Sequence, residues 1–132
     1  MIILTGASGG IGREILPMLS ELDDVIALYH STPPEIVDSK RIASYKINLS
    51  SEQEVKGFCA RVKKDLKKIT LIHAAALSRD GLAAQLDVND WDMAMDVNLR
   101  GNFLITRELL WPMISEKWGR VIHLSSECSL KL

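Results

Sequence analysis

The 132-residue chain has the composition of an ordinary globular protein, with 47% hydrophobic and 25% charged residues. Its formal net charge of −1 gives no basic field, so we expect no nucleic-acid partner. The sequence has no apolar run of membrane-spanning length, no signal-like N-terminal segment and no metal-ligand spacing at Cys59 and Cys128. We therefore expect one domain over residues 1–132, placed in the reducing cytoplasm, with no metal site and no membrane contact.

Short apolar runs alternate with helical patterns along the whole chain. The apolar runs predict strands over residues 2–5, 25–29, 42–47, 69–74 and 121–124. The helical patterns cover residues 10–22, 50–67 and 90–117, and the last pattern is irregular near residues 98–101. Strands that alternate with helices predict an α/β fold, in which a parallel sheet is covered by helices on both faces.

A glycine-rich segment, TGASGGIG at residues 5–12, lies at the first strand-to-helix junction. In a dinucleotide-binding turn, Gly6 would permit the tight turn, Gly10 would let the backbone approach a pyrophosphate, and Gly12 would allow close helix–strand packing. The N–H groups at the start of the helix would then face the phosphates. The segment therefore predicts a dinucleotide site, since it opens a complete strand–helix–strand pattern.

The end of the second predicted strand bears on the choice of nucleotide. It reads YHST over residues 29–32, and no carboxylate occurs before Glu35. An acidic residue here would bind the ribose 2′-hydroxyl of NAD. The hydroxyls of Ser31 and Thr32 suit a 2′-phosphate better, with His30 or Arg13 nearby, so we expect NADP(H) in preference to NAD(H). The alternative, that these are ordinary loop residues, stays open.

Several further motifs occur in an order typical of one enzyme family. TGASGGIG matches a Thr-Gly-x-x-x-Gly-x-Gly motif, HAAA (residues 73–76) stands where Asn-Asn-Ala-Gly is usual, and NLRG (98–101) and LSS (124–126) match an asparagine motif and a catalytic serine strand. With these motifs the sequence resembles the classical short-chain dehydrogenase/reductase family, and is most similar to its 3-oxoacyl-[acyl-carrier-protein] reductase branch. The resemblance implies a Rossmann-type doubly wound parallel sheet of strand order 3-2-1-4-5, here truncated after the fifth strand.

The resemblance also implies a role for each matching residue. Ser126 would be the catalytic serine that hydrogen-bonds the substrate carbonyl oxygen, and the main chain of Asn98 would hold a water of the proton relay. Asn48 stands where the family commonly has Asp beside the adenine ring, and His73 replaces an Asn that helps to stabilise the central strand. The implied cofactor-binding set is Thr5, Gly6, Ser8, Gly9, Gly10, Ile11, Gly12, His30, Ser31, Thr32, Asn48, Leu49, His73, Ala74, Ala75 and Ala76.

The catalytic tyrosine and lysine of the family, four residues apart, have no match in this sequence. Neither Tyr29 nor Tyr45 is followed by lysine at the fourth position, and the chain ends six residues after Ser126. We therefore expect the N-terminal, cofactor-binding part of an NADPH-dependent reductase of 3-oxoacyl thioesters, without activity on its own.

Two other functions stay open from the sequence. The chain would be a non-catalytic NADP(H)-binding module if the tyrosine and lysine are absent from the whole protein. A fragment of an extended-type reductase or epimerase is the second alternative, because Gly6, Gly9 and Gly12 also fit a Gly-x-x-Gly-x-x-Gly spacing.

The expected partners follow from the same resemblance and from the exposed elements. The substrate would be a small carbonyl compound, and Lys117 falls where acyl-carrier-protein reductases use basic residues for docking, so acyl carrier protein is a candidate partner. The strand at 121–124 would be an open sheet edge, which favours self-association or a homo-oligomer. We expect the long helix to contribute an uncovered apolar side, with Leu99, Phe103, Leu110 and Met113 as its candidates.

Overall fold

The computed structural model of the chain describes residues 1–36 and 40–126. Its five strands form one parallel sheet in the order β3-β2-β1-β4-β5, which confirms the predicted Rossmann-type fold. Each strand matches its prediction within one residue at either end. The strands are β1 (Ile2–Thr5), β2 (Val25–Tyr29), β3 (Ile42–Lys46), β4 (Thr70–His73) and β5 (Arg120–His123).

Among the described residues, four α-helices and one π-helical segment connect the strands. The predicted pattern over residues 90–117 is in fact three successive elements, and its expected irregularity is the π-helical segment. The elements are α1 (Gly10–Leu22), α2 (Glu52–Val62), α3 (Val88–Met95), the π-helical segment (Asp96–Gly101) and α4 (Asn102–Ser115). Within residues 1–36 and 40–126, no helix combines the length and the apolar character that crossing a membrane requires.

Helix α2 is shorter than the pattern over residues 50–67 predicts. Ser51 caps its start, since the Ser51 hydroxyl accepts a hydrogen bond from the Glu54 N–H at 3.3 Å. The helix ends at Val62, after which Lys68 adopts a left-handed conformation with φ of 46°. This conformation reverses the chain direction and lets buried Ile69 lead into β4.

The sheet buries apolar side chains on both faces. Ile3 of β1 belongs to the core on one face, together with Val55 of α2 and Leu109 of α4. Its neighbours in sequence point the other way, and Leu4 packs in the core that contains Leu16 of α1. The central strand is therefore covered on both sides, as the alternating pattern predicts.

The β5 edge of the sheet has a different character. All four residues of β5 are exposed, and Leu99, Phe103 and Leu110 are exposed near it. Met113 corrects the prediction, because it is only 6% exposed and belongs to the core with Leu109. It lies on the side of α4 that faces the sheet, against Gly119, where an added Cβ would lie 2.6 Å from the Met113 Cγ.

Candidate functional site

The glycine turn after β1 is packed too closely for any larger residue at two positions. Gly6 has a φ of +67°, and a Cβ on it would lie 2.6 Å from the Ala75 backbone. A Cβ on Gly12 would lie 2.0 Å from the Gly6 carbonyl oxygen. The turn and the close approach of α1 to β1 therefore require glycine at both positions, as the motif predicts.

The start of α1 is open at the same place. The cap residue Gly9 offers no side chain, and a Cβ added to Gly10 would meet no described atom within 4 Å. The first N–H groups of a helix have no acceptor within the helix, and the helix dipole makes this end positive. The tip of α1 therefore presents hydrogen-bond donors and a partial positive charge, which is the arrangement that binds phosphates.

A cavity of about 830 Å³ lies beside this tip, at the carboxyl ends of the strands. This volume falls within the range of small-molecule and cofactor sites, and the carboxyl edge of a parallel sheet is where open α/β folds bind their ligands. The predicted cofactor residues that line it are Gly6, Ser8, Gly9, Gly10, Ile11, His30, Ser31, Asn48, Leu49, Ala74, Ala75 and Ala76.

Four of the predicted cofactor residues lie outside this lining, namely Thr5, Gly12, Thr32 and His73. Thr5 is fully buried, and its hydroxyl oxygen accepts hydrogen bonds from the N–H groups of Ala74 and Ala75, each at 3.2 Å. It therefore supports the cavity wall from beneath. Thr32 is exposed in the loop beyond Ser31. Direct contact of these four with a cofactor stays a prediction.

Several lining residues have no counterpart in the sequence motifs. Arg79, from the loop after β4, lines the cavity and pairs with Asp90 of α3 at 3.3 Å. Asp96 and Val97 of the π-helical segment also line it. These residues lie close in sequence to the HAAA and NLRG motifs, and both motifs flank the same edge of the sheet. That nearness could have identified them from the sequence.

Two histidines stack between β4 and β5. The rings of buried His73 and exposed His123 lie 4.3 Å apart and 11° from parallel, and the His73 Nε2 is 3.0 Å from the Thr106 hydroxyl. Burial, and next the neighbouring His123 ring, lower the pKa of His73 to about 4. His73 is therefore neutral at pH 7 and joins the two strands next to the Ala74–Ala76 wall.

The two predicted catalytic residues lie at the same edge of the sheet as the glycine turn. Ser126 follows the carboxyl end of β5 by three residues. Asn98 lies in the π-helical segment, where its side chain accepts from the Leu77 N–H at 2.8 Å and donates to the Leu77 carbonyl at 2.9 Å. The Asn98 carbonyl accepts from the Asn102 side chain at 2.8 Å.

A second, smaller cavity of about 360 Å³ opens beside α4, on the β5 side of the sheet. Asn98, Thr106 and His123 are among its lining residues. Of the two predicted catalytic residues, Asn98 therefore lies next to space that is separate from the larger cavity, whereas Ser126 is not among the described lining residues.

Comparison with known proteins places this arrangement in a family. The profile described as short chain dehydrogenase matches residues 1–131. Nodulation protein G of Rhizobium sp. (strain N33) is 34% identical over 131 residues, and the 3-oxoacyl-[acyl-carrier-protein] reductase FabG of Rickettsia conorii (strain ATCC VR-613 / Malish 7) is 31% identical over 129. Both alignments cover 94% of this chain, but 53% and 52% of those relatives. The chain thus spans about half the length of the curated relatives it matches.

Solved structures show the same fold. A short chain dehydrogenase from Leptospira borgpetersenii serovar Hardjo-bovis (strain JB197) with bound NAD⁺ superposes with a TM-score of 0.87 at 24% identity, over 99% of this chain and 53% of that one. ElxO with NADP bound superposes with a TM-score of 0.85 at 19% identity, over 98% and 56%. Because the family profile accounts for nearly every residue and the strand order agrees, this chain belongs to the short chain dehydrogenase family.

Proposed function

We propose that the chain binds NADP(H) in the 830 Å³ cavity, and that the whole protein is an NADPH-dependent reductase of 3-oxoacyl thioesters. The observation that carries the binding proposal is the open tip of α1, with Gly9 and Gly10 beside the cavity and no side chain capping the helix. A pyrophosphate fits this tip because it would accept hydrogen bonds from the N–H groups there.

The adenosine half of the dinucleotide would lie toward β2 and β3. Asn48 and Leu49 line this side of the cavity, and the Asn48 side-chain oxygen accepts from the Ser50 N–H at 3.1 Å. The Asn48 amide N–H₂ would therefore be the group that faces adenine, as a donor. Ala74 and Ala75 would pass beside the adenosine ribose, where small side chains let the backbone come close.

The preference for NADP(H) rests on the chain after β2. His30 and Ser31 line the cavity, Thr32 follows them, and no carboxylate stands among these positions. A 2′-phosphate would accept hydrogen bonds from the two hydroxyls, whereas the 2′-hydroxyl of NAD(H) would lack the acidic acceptor that it usually finds.

The 3-oxoacyl thioester substrate is supported by the names of relatives such as the Rickettsia reductase. NADPH, when bound, supplies the hydride for a carbonyl carbon. Ser126 would donate a hydrogen bond to the carbonyl oxygen, where negative charge develops, and the Asn98 main chain would hold a water for the proton relay. Acyl carrier protein is the partner we propose for the acyl group, with Lys117 as a docking residue.

The 132 residues by themselves are proposed to bind nucleotide without reducing a carbonyl. Neither tyrosine is followed by lysine at the fourth position, so the sequence holds no tyrosine–lysine pair to act as general acid. The second candidate function for these 132 residues is a non-catalytic NADP(H)-binding module. We propose the cytoplasm as the compartment, because Cys59 is buried as a free thiol.

Titration of the purified chain with NADPH and NADH, followed by thermal shift, tests the binding proposal. We expect NADPH to bind about tenfold or more tightly than NADH, and the double variant Ser31→Ala, Thr32→Ala to lose that preference. The matched control is Ser44→Ala, on exposed β3, which should keep it. Equal affinities for the two nucleotides would contradict the proposed 2′-phosphate site. The absence of binding would contradict the proposal that the chain binds a nucleotide.

A turnover assay separates the enzyme from the module. With NADPH and a short 3-oxoacyl thioester, we expect the 132-residue protein to show no consumption of NADPH above background. Turnover at the level of a complete reductase would mean that another group in this chain donates the proton.

A further inference from the structure

Residues 48–51, in the loop between β3 and α2, are held by a dense set of hydrogen bonds. The Asn48 N–H donates to the Glu54 carboxylate at 2.8 Å, and the Ser51 N–H donates to the Asn48 carbonyl at 3.0 Å. With the Asn48 side chain bonded to the Ser50 N–H, the loop is closed on itself and tied to α2. These contacts give the adenine side of the cavity a defined shape.

Arg100 of the π-helical segment adds a contact from across the molecule. Its guanidinium donates to the Ser50 carbonyl at 2.8 Å, although the two residues are fifty positions apart. The Asp96 carboxylate lies 4.0 Å from the same guanidinium nitrogen, which helps to orient it. About half of the Arg100 side chain is exposed, so its contribution comes from this hydrogen bond and its charge rather than from packing.

Close backbone packing accompanies this contact. A Cβ added to Gly101 would lie 3.0 Å from the Leu49 Cβ and 3.2 Å from the Leu49 carbonyl oxygen. The π-helical segment and the loop are therefore in direct contact, and Arg100 closes the polar side of that contact. A displacement of either the segment or the loop would therefore displace the other.

The same segment also holds the opposite wall of the cavity. Asn98 binds both main-chain groups of Leu77, which follows the Ala74–Ala76 wall. Residues two apart on a helix point to nearly opposite sides, about 200° apart on an α-helix. Asn98 and Arg100 can therefore reach the two different loops that line the cavity, from one short segment.

We propose that Arg100 is a positioning residue for the adenosine half of the bound dinucleotide: through its hydrogen bond to the Ser50 carbonyl it holds Asn48 and Leu49 in the binding geometry. The role rests on the proposed nucleotide site. Arg100 acts through the loop rather than on the nucleotide, because it is absent from the described cavity lining.

The binding test compares Arg100→Met and Arg100→Lys with the unaltered chain, using NADPH and adenosine 2′,5′-bisphosphate as separate ligands. Loss of the hydrogen bond should weaken both ligands by a similar factor, about 3- to 10-fold. Lysine keeps a donor and the charge, so Arg100→Lys should recover most of the affinity. The matched control is Arg120→Met on β5, an exposed arginine stacked on Trp118, which should leave both affinities unchanged.

Hydrogen exchange of the loop gives a readout that needs no ligand. The Ser50 and Ser51 amides should exchange faster in Arg100→Met than in the unaltered chain, and at unaltered rates in Arg120→Met. If exchange and affinity are both unchanged in a protein that binds NADPH, Arg100 has no positioning role, while the nucleotide site stands. If the unaltered chain binds neither ligand, the proposed function fails and this role fails with it, whatever the exchange rates show.

Discussion

The two sides of the sheet edge differ in how closely their residues are packed. On the side of β1, β2 and α1, the central strand is fully buried and the glycine turn is packed to the limit of atomic contact. On the side of β5 and α4, all of β5 is exposed, and Leu99 and Phe103 are 62% and 58% exposed. The glycine turn is therefore closely packed within the described residues, whereas the strand that leads to Ser126 is exposed along its whole length.

This contrast explains why binding and catalysis can be tested apart. The cavity walls are held by contacts within residues 1–36 and 40–126, such as Thr5 with Ala74 and Asn98 with Leu77. The position of Ser126 depends on a strand whose outer edge has no neighbouring strand among the described residues. Substitutions on the first side should therefore change nucleotide affinity and stability, and those on the second should change association.

The largest expected effect comes from Gly12→Ala in the glycine turn. Its Cβ would lie 2.0 Å from the Gly6 carbonyl oxygen and 2.9 Å from the Ala7 Cα, so backbone must move to admit it. We expect a loss of about 3 kcal/mol or more in the free energy of unfolding, measured by urea denaturation. Nucleotide binding should be lost with it.

Gly10→Ala is the matched comparison, since it lies two residues away and has no described neighbour within 4 Å. Its stability should be equal to that of the unaltered chain or higher, because alanine restricts the unfolded chain. Its affinity for NADPH should nevertheless fall about tenfold or more, since the methyl group occupies the approach to the helix tip. Unchanged affinity in this variant would argue that the pyrophosphate binds elsewhere.

The second effect is a pH dependence that originates at His73. Its pKa is lowered from 6.5 to about 4 by burial and by His123. As the pH falls from 6.5 to 4, the unfolded chain binds a proton that the folded chain does not, so stability decreases. The decrease should total about 3 kcal/mol and be complete below the folded pKa. Urea denaturation across this pH range measures it.

His73→Asn should remove this part of the pH dependence. The loss of stability at low pH that remains would then come from other groups. The matched control, His30→Asn, changes an exposed histidine in the loop after β2. Its free energy of unfolding should fall with pH as steeply as that of the unaltered chain. Equal slopes for His73→Asn and the unaltered chain would mean that the buried ring accepts a proton without cost.

The smallest effect concerns association through the exposed side. We expect the unaltered chain to self-associate in light scattering at tens of micromolar, through the β5 edge or the exposed side of α4. Ile122→Lys, which places a charge on the β5 edge, should weaken this association about tenfold. Leu22→Lys changes an apolar residue that is 76% exposed at the end of α1, and should leave it unaltered. A monodisperse monomer would contradict the expectation.

The strands and the glycine turn were accessible from the sequence because their signals are local. Runs of apolar residues mark β1 and β2, and Gly6 and Gly12 stand where the motif requires them. The family resemblance added the strand order, which the sheet confirms. The extent of α2 was overestimated, because buried apolar residues continue to Leu66, whereas the helix ends at Val62.

Only the tertiary structure decided which distant residues meet. Met113 looked like part of an exposed helix side, yet it is buried, because the position of α4 on the sheet and not its own pattern sets its environment. The Arg100–Ser50 contact joins residues fifty positions apart, and no local motif encodes such a pair. The lowered pKa of His73 likewise depends first on its burial and then on the strand pairing that brings His123 beside it. Local patterns specify the elements, whereas desolvation and long-range contacts arise only once those elements have packed.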